Sequence, residues 1–216
     1  MLVIFDCDGV IVDSEPLAAR VLEQYLRDLS YPVIVDASMH GRFVGLSLSA
    51  MQRMLETESG VALPADFIDE LVRRDAVAFR AELTAIPGIA DVLAGLTVPY
   101  CLASSGSRRK IDTSLTLTGL GRWFEGRIFS ATDDAVAHGK PAPDLFLHAA
   151  AEMEAATADC IVIEDSVNGV KAGKAAGMRT LGFTGGGHCD PDHGESLIAV
   201  GADAVFAKMT ELPSLL

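Results

Sequence analysis

Apolar residues recur along this chain in two rhythms. Short apolar runs at residues 2–5, 98–103, 160–163, 180–183 and 204–206, with a weaker pair at 128–129, predict short buried strands. Between them, residues 89–96, 108–117, 143–153 and 167–176 repeat apolar positions at three- and four-residue spacing, the pattern of amphipathic helices. Buried strands alternating with helices predict an α/β fold, a doubly wound parallel sheet (a Rossmann-like core) covered on both faces.

The alternation breaks between Pro16 and Ala85, where the pattern is helical. Leu17, Val21, Leu22, Tyr25, Leu26 and Leu29 make one apolar face, and Phe67, Ile68, Leu71, Val72, Phe79 and Leu83 make another. A middle helix is expected from Leu48 to about Glu58, ending near Gly60, and residues 33–35 beside Pro32 read as loop. About seventy helical residues are too many for an ordinary crossover. The expected division is an α/β core of residues 1–15 and 86–216 with an all-α helical cap of residues 16–85. Ser14-Glu15-Pro16 and Ile86-Pro87-Gly88 would be the hinge-like connections.

The 216 residues carry 17 Lys and Arg against 30 Asp and Glu, a net charge of −13, which disfavours nucleic acid and anionic membranes as partners. Cys7, Cys101, Cys160 and Cys189 form no CxxC pair, as expected of a reducing compartment. The opening apolar stretch is too short for a signal peptide, and no segment reaches membrane-spanning length. A cytoplasmic protein, monomeric or a weak homodimer, is the expectation.

Four polar clusters each follow the end of an expected strand. Phe5-Asp6-Cys7-Asp8-Gly9-Val10 crowds two carboxylates, costly unless a cation or a proton transfer uses them, and Gly9 lets the backbone turn or approach a ligand. Leu102-Ala103-Ser104-Ser105-Gly106-Ser107 places hydroxyls before a helix, where they make an anion site or an ordinary N-cap; taken alone, the N-cap is the better reading. Gly139-Lys140-Pro141-Ala142-Pro143-Asp144 holds a stiffly placed lysine, and Ile163-Glu164-Asp165-Ser166 ends a strand in two more carboxylates. Oxygen ligands from separate strand ends suit a hard cation such as Mg²⁺, whereas one acidic helix start alone would reflect only the helix dipole. In an open α/β sheet such strand ends converge on one crevice.

In order along nearly the whole chain, these motifs resemble the haloacid dehalogenase-like hydrolase superfamily, helical-cap subgroup. Asp-Cys-Asp-Gly-Val-Ile-Val-Asp-Ser-Glu and Lys-Pro-Ala-Pro-Asp resemble its β-phosphoglucomutase-like and sugar-phosphate phosphatase branch. The resemblance implies Asp6 as nucleophile forming an aspartyl-phosphate, Asp8 as acid and base, and Lys140 stabilising charge. It implies Mg²⁺ held by Asp6, Asp8 and Asp165 with Glu164 acting less directly, and phosphate bound by Ser104, Ser105 and the backbone near Gly9.

The implied substrate is a small phosphorylated metabolite, and the implied enzyme a phosphatase. Asp8 is lost in the dehalogenases, and no lysine for phosphonate cleavage lies between Pro16 and Ala85. The His and Arg of the mutases correspond to Ala18 and Leu48, which argues against the alternative of a phosphomutase. A phosphoacceptor signalling module, the other alternative, would carry its acidic pair before the acceptor strand.

Arg42 is a candidate for a second anionic group of the substrate. Arg73, Arg74 and Arg80 are other candidates, and each of the four arginines reads first as solvated or salt-bridged. His188-Cys189-Asp190-Pro191-Asp192-His193 has metal-ligand residue types, but after three glycines it reads as a mobile, solvated loop. His138 reads as loop polarity, and Trp123-Phe124 as core packing.

Overall fold

The computed structural model describes residues 1–33, 43 and 46–216; Arg42 and positions 34–35 of the expected loop lie outside them. Strand β1 (Leu2–Phe5) is followed, among the described residues, by helices α1 (Glu15–Asp28), α2 (Leu48–Ser59) and α3 (Phe67–Glu82). The alternating part then runs α4 (Ile89–Gly95), β2 (Tyr100–Ser104), α5 (Arg108–Leu117), α6 (Gly121–Phe124), β3 (Ile128–Ser130), α7 (Asp144–Glu152) and β4 (Cys160–Glu164). It closes with α8 (Val167–Ala175), β5 (Arg179–Phe183), α9 (His193–Ala199) and β6 (Ala204–Phe206). No helix among the described residues is long and apolar enough to cross a membrane.

All strand pairs are parallel, in the order β3-β2-β1-β4-β5-β6. Phe5 lies in register with Leu102 on one side and Ile163 on the other. Winding reverses between β1 and β4, the place where an open α/β sheet leaves a crevice beyond its carboxyl ends.

Side chains alternate across the strands. Val3, Phe5, Leu102, Ile161 and Ile163 pack on one face with Ile89 and Val92 of α4 and Ile111 and Leu115 of α5. Leu2, Ile4, Cys101, Ala103 and Val162 pack on the other with Leu145, Phe146 and Ala149 of α7 and Ala172 of α8. β2 begins two residues later than the apolar run suggests, because Pro99 has no N–H to donate and offers only its carbonyl, to Val3 at 3.0 Å.

The inserted helices have an apolar cluster of their own: Leu22, Tyr25 and Leu26 of α1, Met51 and Leu55 of α2, and Phe67 and Leu71 of α3. Tyr25 and Phe67 stack with centroids 5.2 Å apart. Gly60 ends α2 with φ +68°, in the left-handed region expected of a C-terminal cap. Val72 departs from its expected apolar face and is 50% exposed. The two connecting segments lie side by side, with Asp13 N–H donating to Thr84 and Ile86 N–H to Ile11.

Candidate active site

The motif residues come from three neighbouring strand ends and one loop. Asp6 follows β1, Ser104 ends β2, Glu164 ends β4 with Asp165 next, and Lys140 lies before α7. Asp6, Asp8, Ser104, Ser105, Lys140 and Asp165 line one cavity of about 920 Å³, whose other wall is built by α1, α2 and α3.

Lys140 is the hub. Its Nζ donates to Asp6 Oδ1 and to Glu164 Oε1, both at 2.5 Å, with all three side chains buried. Burial opposes its charge, but the two carboxylates outweigh burial and hold Lys140 protonated. Glu164 Oε2 accepts from the N–H groups of Asp165 and Ser166 and from the Ser166 hydroxyl, each at 3.0 Å. Glu164 is thus tied to the start of α8, where Gly169 comes so close that a Cβ would stand 1.8 Å from its carboxylate. Ser166 also caps the helix by accepting from Gly169 N–H at 2.9 Å, so the helix-start reading of this motif holds alongside the functional one.

Burial, reinforced by the neighbouring carboxylates against Lys140, pushes the Asp6 carboxyl well above its ordinary value. Burial and then Glu164 push Asp165 the same way. Asp6, Glu164 and Asp165 bring carboxylate oxygens within 4.8 Å of one another, and Asp165 Oδ2 is buried without a hydrogen-bond partner. Three crowded carboxylates against one ammonium, all hard oxygen donors, fit a divalent cation such as Mg²⁺.

Asp8 has partners that the motif does not reveal. The Ser14 hydroxyl donates to Asp8 Oδ1 at 2.6 Å, and Lys110 Nζ to Oδ2 at 2.9 Å. Burial raises the Asp8 carboxyl, but Lys110 and the two hydrogen bonds outweigh it and leave it below its ordinary value. Gly9 turns the backbone with φ +78°, and a Cβ there would stand 1.8 Å from Asp165 Oδ2. In the serine motif, Ser104 is buried and accepts from Gly106 N–H at 3.0 Å, while Ser107 supplies the N-cap of α5.

The cavity also gathers residues missed in the sequence. Glu15, half-buried at the start of α1, is pushed up to about 7 by burial and the Asp8 charge. Asp75 of α3 is pushed up to about 6, chiefly by burial. Arg109 reaches the lining too, as do Arg73 and Arg80, which the sequence already makes candidates, whereas Arg74 is held by Asp28 and Glu70. Arg73 also pairs with Glu70 at 2.6 Å.

The expectation of a solvated loop at 188–193 holds for Asp190, Pro191 and Asp192, which are exposed, and is corrected at the histidines. The His188 side chain is only 4% exposed, and its Nε2 lies 3.1 Å from Asp165 Oδ2, though not aligned for a hydrogen bond. His193 Nε2 lies 2.5 Å from the Asp165 carbonyl oxygen, and Gly187 N–H donates to Asp13 at 2.9 Å. Glycines at 9 and 186 make this packing possible, since a Cβ on either would stand within 2.9 Å of the His188 ring. Burial lowers the His188 pKa and keeps the imidazole neutral. His138, by contrast, is exposed and bonds Asp144, and Phe124 is buried in the core, as expected.

The haloacid dehalogenase-like hydrolase family model matches residues 1–177. The chain belongs to this family. The 6-phosphogluconate phosphatase of Escherichia coli (strain K12) is 31% identical over 215 residues, spanning 99% of this chain and 93% of that protein. A crystal structure of a haloacid dehalogenase-like protein of unknown function from Agrobacterium tumefaciens is 37% identical and covers 99% of this chain and 96% of its own, with a TM-score of 0.88. A family hydrolase from Deinococcus radiodurans, crystallised with bound phosphate and sodium, is 32% identical over 99% of this chain and 93% of its own, with a TM-score of 0.80. As a member of the haloacid dehalogenase-like family with phosphatases among its relatives, the chain is a hydrolase of the phosphatase class.

Proposed function

We propose that this enzyme is a Mg²⁺-dependent phosphatase of a small phosphorylated metabolite, a sugar or sugar-acid phosphate, that works through an aspartyl-phosphate on Asp6. The observation that carries the reading is the convergence of Asp6, Asp8, Ser104, Lys140 and Asp165 on one cavity. Asp6, Asp165 and the Asp8 carbonyl would hold Mg²⁺, with Glu164 tied to Lys140 and the head of α8 outside the direct set. When bound, Mg²⁺ lessens repulsion between carboxylate and phosphate and orients both.

Asp6 attacks phosphorus, the ester P–O bond breaks, and Asp8 gives the departing alkoxide a proton. Asp8, now a carboxylate, takes a proton from water as that water attacks phosphorus, and Asp6 is released with inorganic phosphate. Lys140 keeps its proton throughout and offsets charge on the transferring group, while Ser104, Ser105 and nearby N–H groups bind its oxygens. Lys110 and Ser14 hold Asp8 ionised, the form that the second half needs. For the first half Asp8 must take up a proton, which an anionic substrate drawing Lys110 away would favour.

The cavity favours a substrate with a second anionic group: Arg80, Arg109 and Lys110 line it in addition to Lys140. Residues 16–85 would act as a cap that closes over the leaving group and excludes water, a role supported by their separate apolar cluster. Ala18 and Leu48 line the cavity, which supports hydrolysis over the mutase alternative.

The test is phosphate release across sugar phosphates, sugar-acid phosphates and small glycolytic esters, with Mg²⁺ and with chelator. Release that requires Mg²⁺ and concentrates on sugar-acid phosphates is expected. Conversion of a sugar phosphate to its isomer without phosphate release would overturn the reading.

A further inference from the structure

Beside the carboxylates, the turn before α9 brings together a second set of donors of a different chemistry. His188, Cys189 and His193 each place a ligand atom within 4.8 Å of the others. Cys189 Sγ lies 3.5 Å from His188 Nε2, and Asp165 Oδ2 lies 3.1 Å from the same nitrogen. A tetrahedral Zn²⁺ with arms of about 2.0–2.3 Å would set its nitrogen and sulfur ligands about 3.6 Å apart, and nitrogen and oxygen about 3.4 Å apart. Two edges of such a tetrahedron are therefore nearly formed.

A second observation points to the same place. Asp165 is 1% exposed, and its Oδ2 is buried without a hydrogen-bond partner. The His188 ring is fixed against Gly9 and Gly186, and the turn is tied by Cys189 N–H to the Gly186 carbonyl at 3.0 Å. Cys189 and His193 are half-buried, which leaves an entry route from solvent.

We propose that His188, Cys189 and His193 form a second cation site, selective for a soft divalent ion such as Zn²⁺ and closed by the carboxylate of Asp165. Thiolate and imidazole donors favour such an ion over Mg²⁺, which the all-oxygen set suits better. On binding, the Cys189 thiol loses its proton to solvent and His193 turns from the Asp165 carbonyl. The effect on turnover rests on the reading of Asp165 as a Mg²⁺ ligand: an ion on this trio competes for Asp165 and inhibits.

Co²⁺ is the probe for the site itself. One equivalent added to the metal-free chain in excess Mg²⁺ should give tetrahedral d–d absorption together with a near-ultraviolet thiolate-to-cobalt band. Zn²⁺ should abolish both by displacement. Cys189→Ser should lose the thiolate band and His193→Ala should weaken Co²⁺ binding at least about tenfold, while both metal-free variants keep the wild-type circular dichroism. An octahedral, thiolate-free spectrum in the wild type would overturn the proposal. So would a thiolate band that survives Cys189→Ser, since the ion would then sit on another of the four cysteines. Because these spectra are read without substrate, they stand apart from the phosphatase reading. Zn²⁺ inhibition of Mg²⁺-supported phosphate release, relieved at least about tenfold by Cys189→Ser, checks the competition; equal inhibition of both proteins would overturn that part.

Discussion

Lys110 Nζ lies 2.9 Å from Asp8 Oδ2, joining two residues 102 positions apart. The pairing holds ionised the carboxylate that we propose as the proton donor to the leaving alcohol. Lys110→Met should let the Asp8 carboxyl rise, since burial then acts with less opposition. Asp8 would stay protonated to higher pH. The descending limb of kcat/KM against pH is therefore expected to move upward by about 1 pH unit or more. An unmoved limb would remove Lys110 from control of Asp8.

Gly9 serves the site by having no side chain. Its φ of +78° disfavours any other residue, and a Cβ would collide with Asp165. Gly9→Ala should cost about 1–2 kcal/mol from the backbone alone, and the displaced Asp165 should weaken Mg²⁺ binding as well. Chemical denaturation in chelator and Mg²⁺ titration separate the two effects. Wild-type Mg²⁺ affinity in a stable variant would contradict the role given to Asp165.

Glu15 ties stability to pH. Its carboxyl lies at about 7 in the fold against an ordinary 4.5, raised first by burial and next by Asp8. The fold therefore favours the protonated form, whose contribution is complete below pH 4.5 and lost as pH rises through about 7. Asp6 and Asp165 are shifted in the same direction. In chelator the enzyme should lose stability across this window, and Glu15→Gln should flatten the loss. Equal slopes in denaturant melts of the two proteins would count against it.

The sheet was legible because most of its strands hold short apolar runs bounded by polar residues; β1 and β6 occupy the expected residues. The acidic pairs, Ser104 and Lys140 were legible for a related reason: each follows a strand or precedes a helix, so topology alone brings them to one crevice. Lys110 and Ser14 were not. Nothing local distinguishes a lysine in the first turn of a helix from a solvated one until β1 and β2 set it beside Asp8.

His188, at the start of the turn, misled for the opposite reason. Three glycines signal mobility locally, but Gly186 instead admits the His188 ring, and Gly187 N–H bonds Asp13 from 174 residues away. Val72 reads as core by helical spacing, yet it is exposed because α3 turns that side toward the cavity.

The central claim is that phosphate passes through Asp6. Enzyme mixed with radiolabelled phosphate ester and Mg²⁺, quenched in acid within a turnover and digested, reports this directly. Label that hydroxylamine removes should appear on the peptide containing Asp6, and Asp6→Asn should carry none while turnover falls by at least about 10⁴-fold. Full turnover with no labelled peptide, or with label on a different residue, would contradict the account.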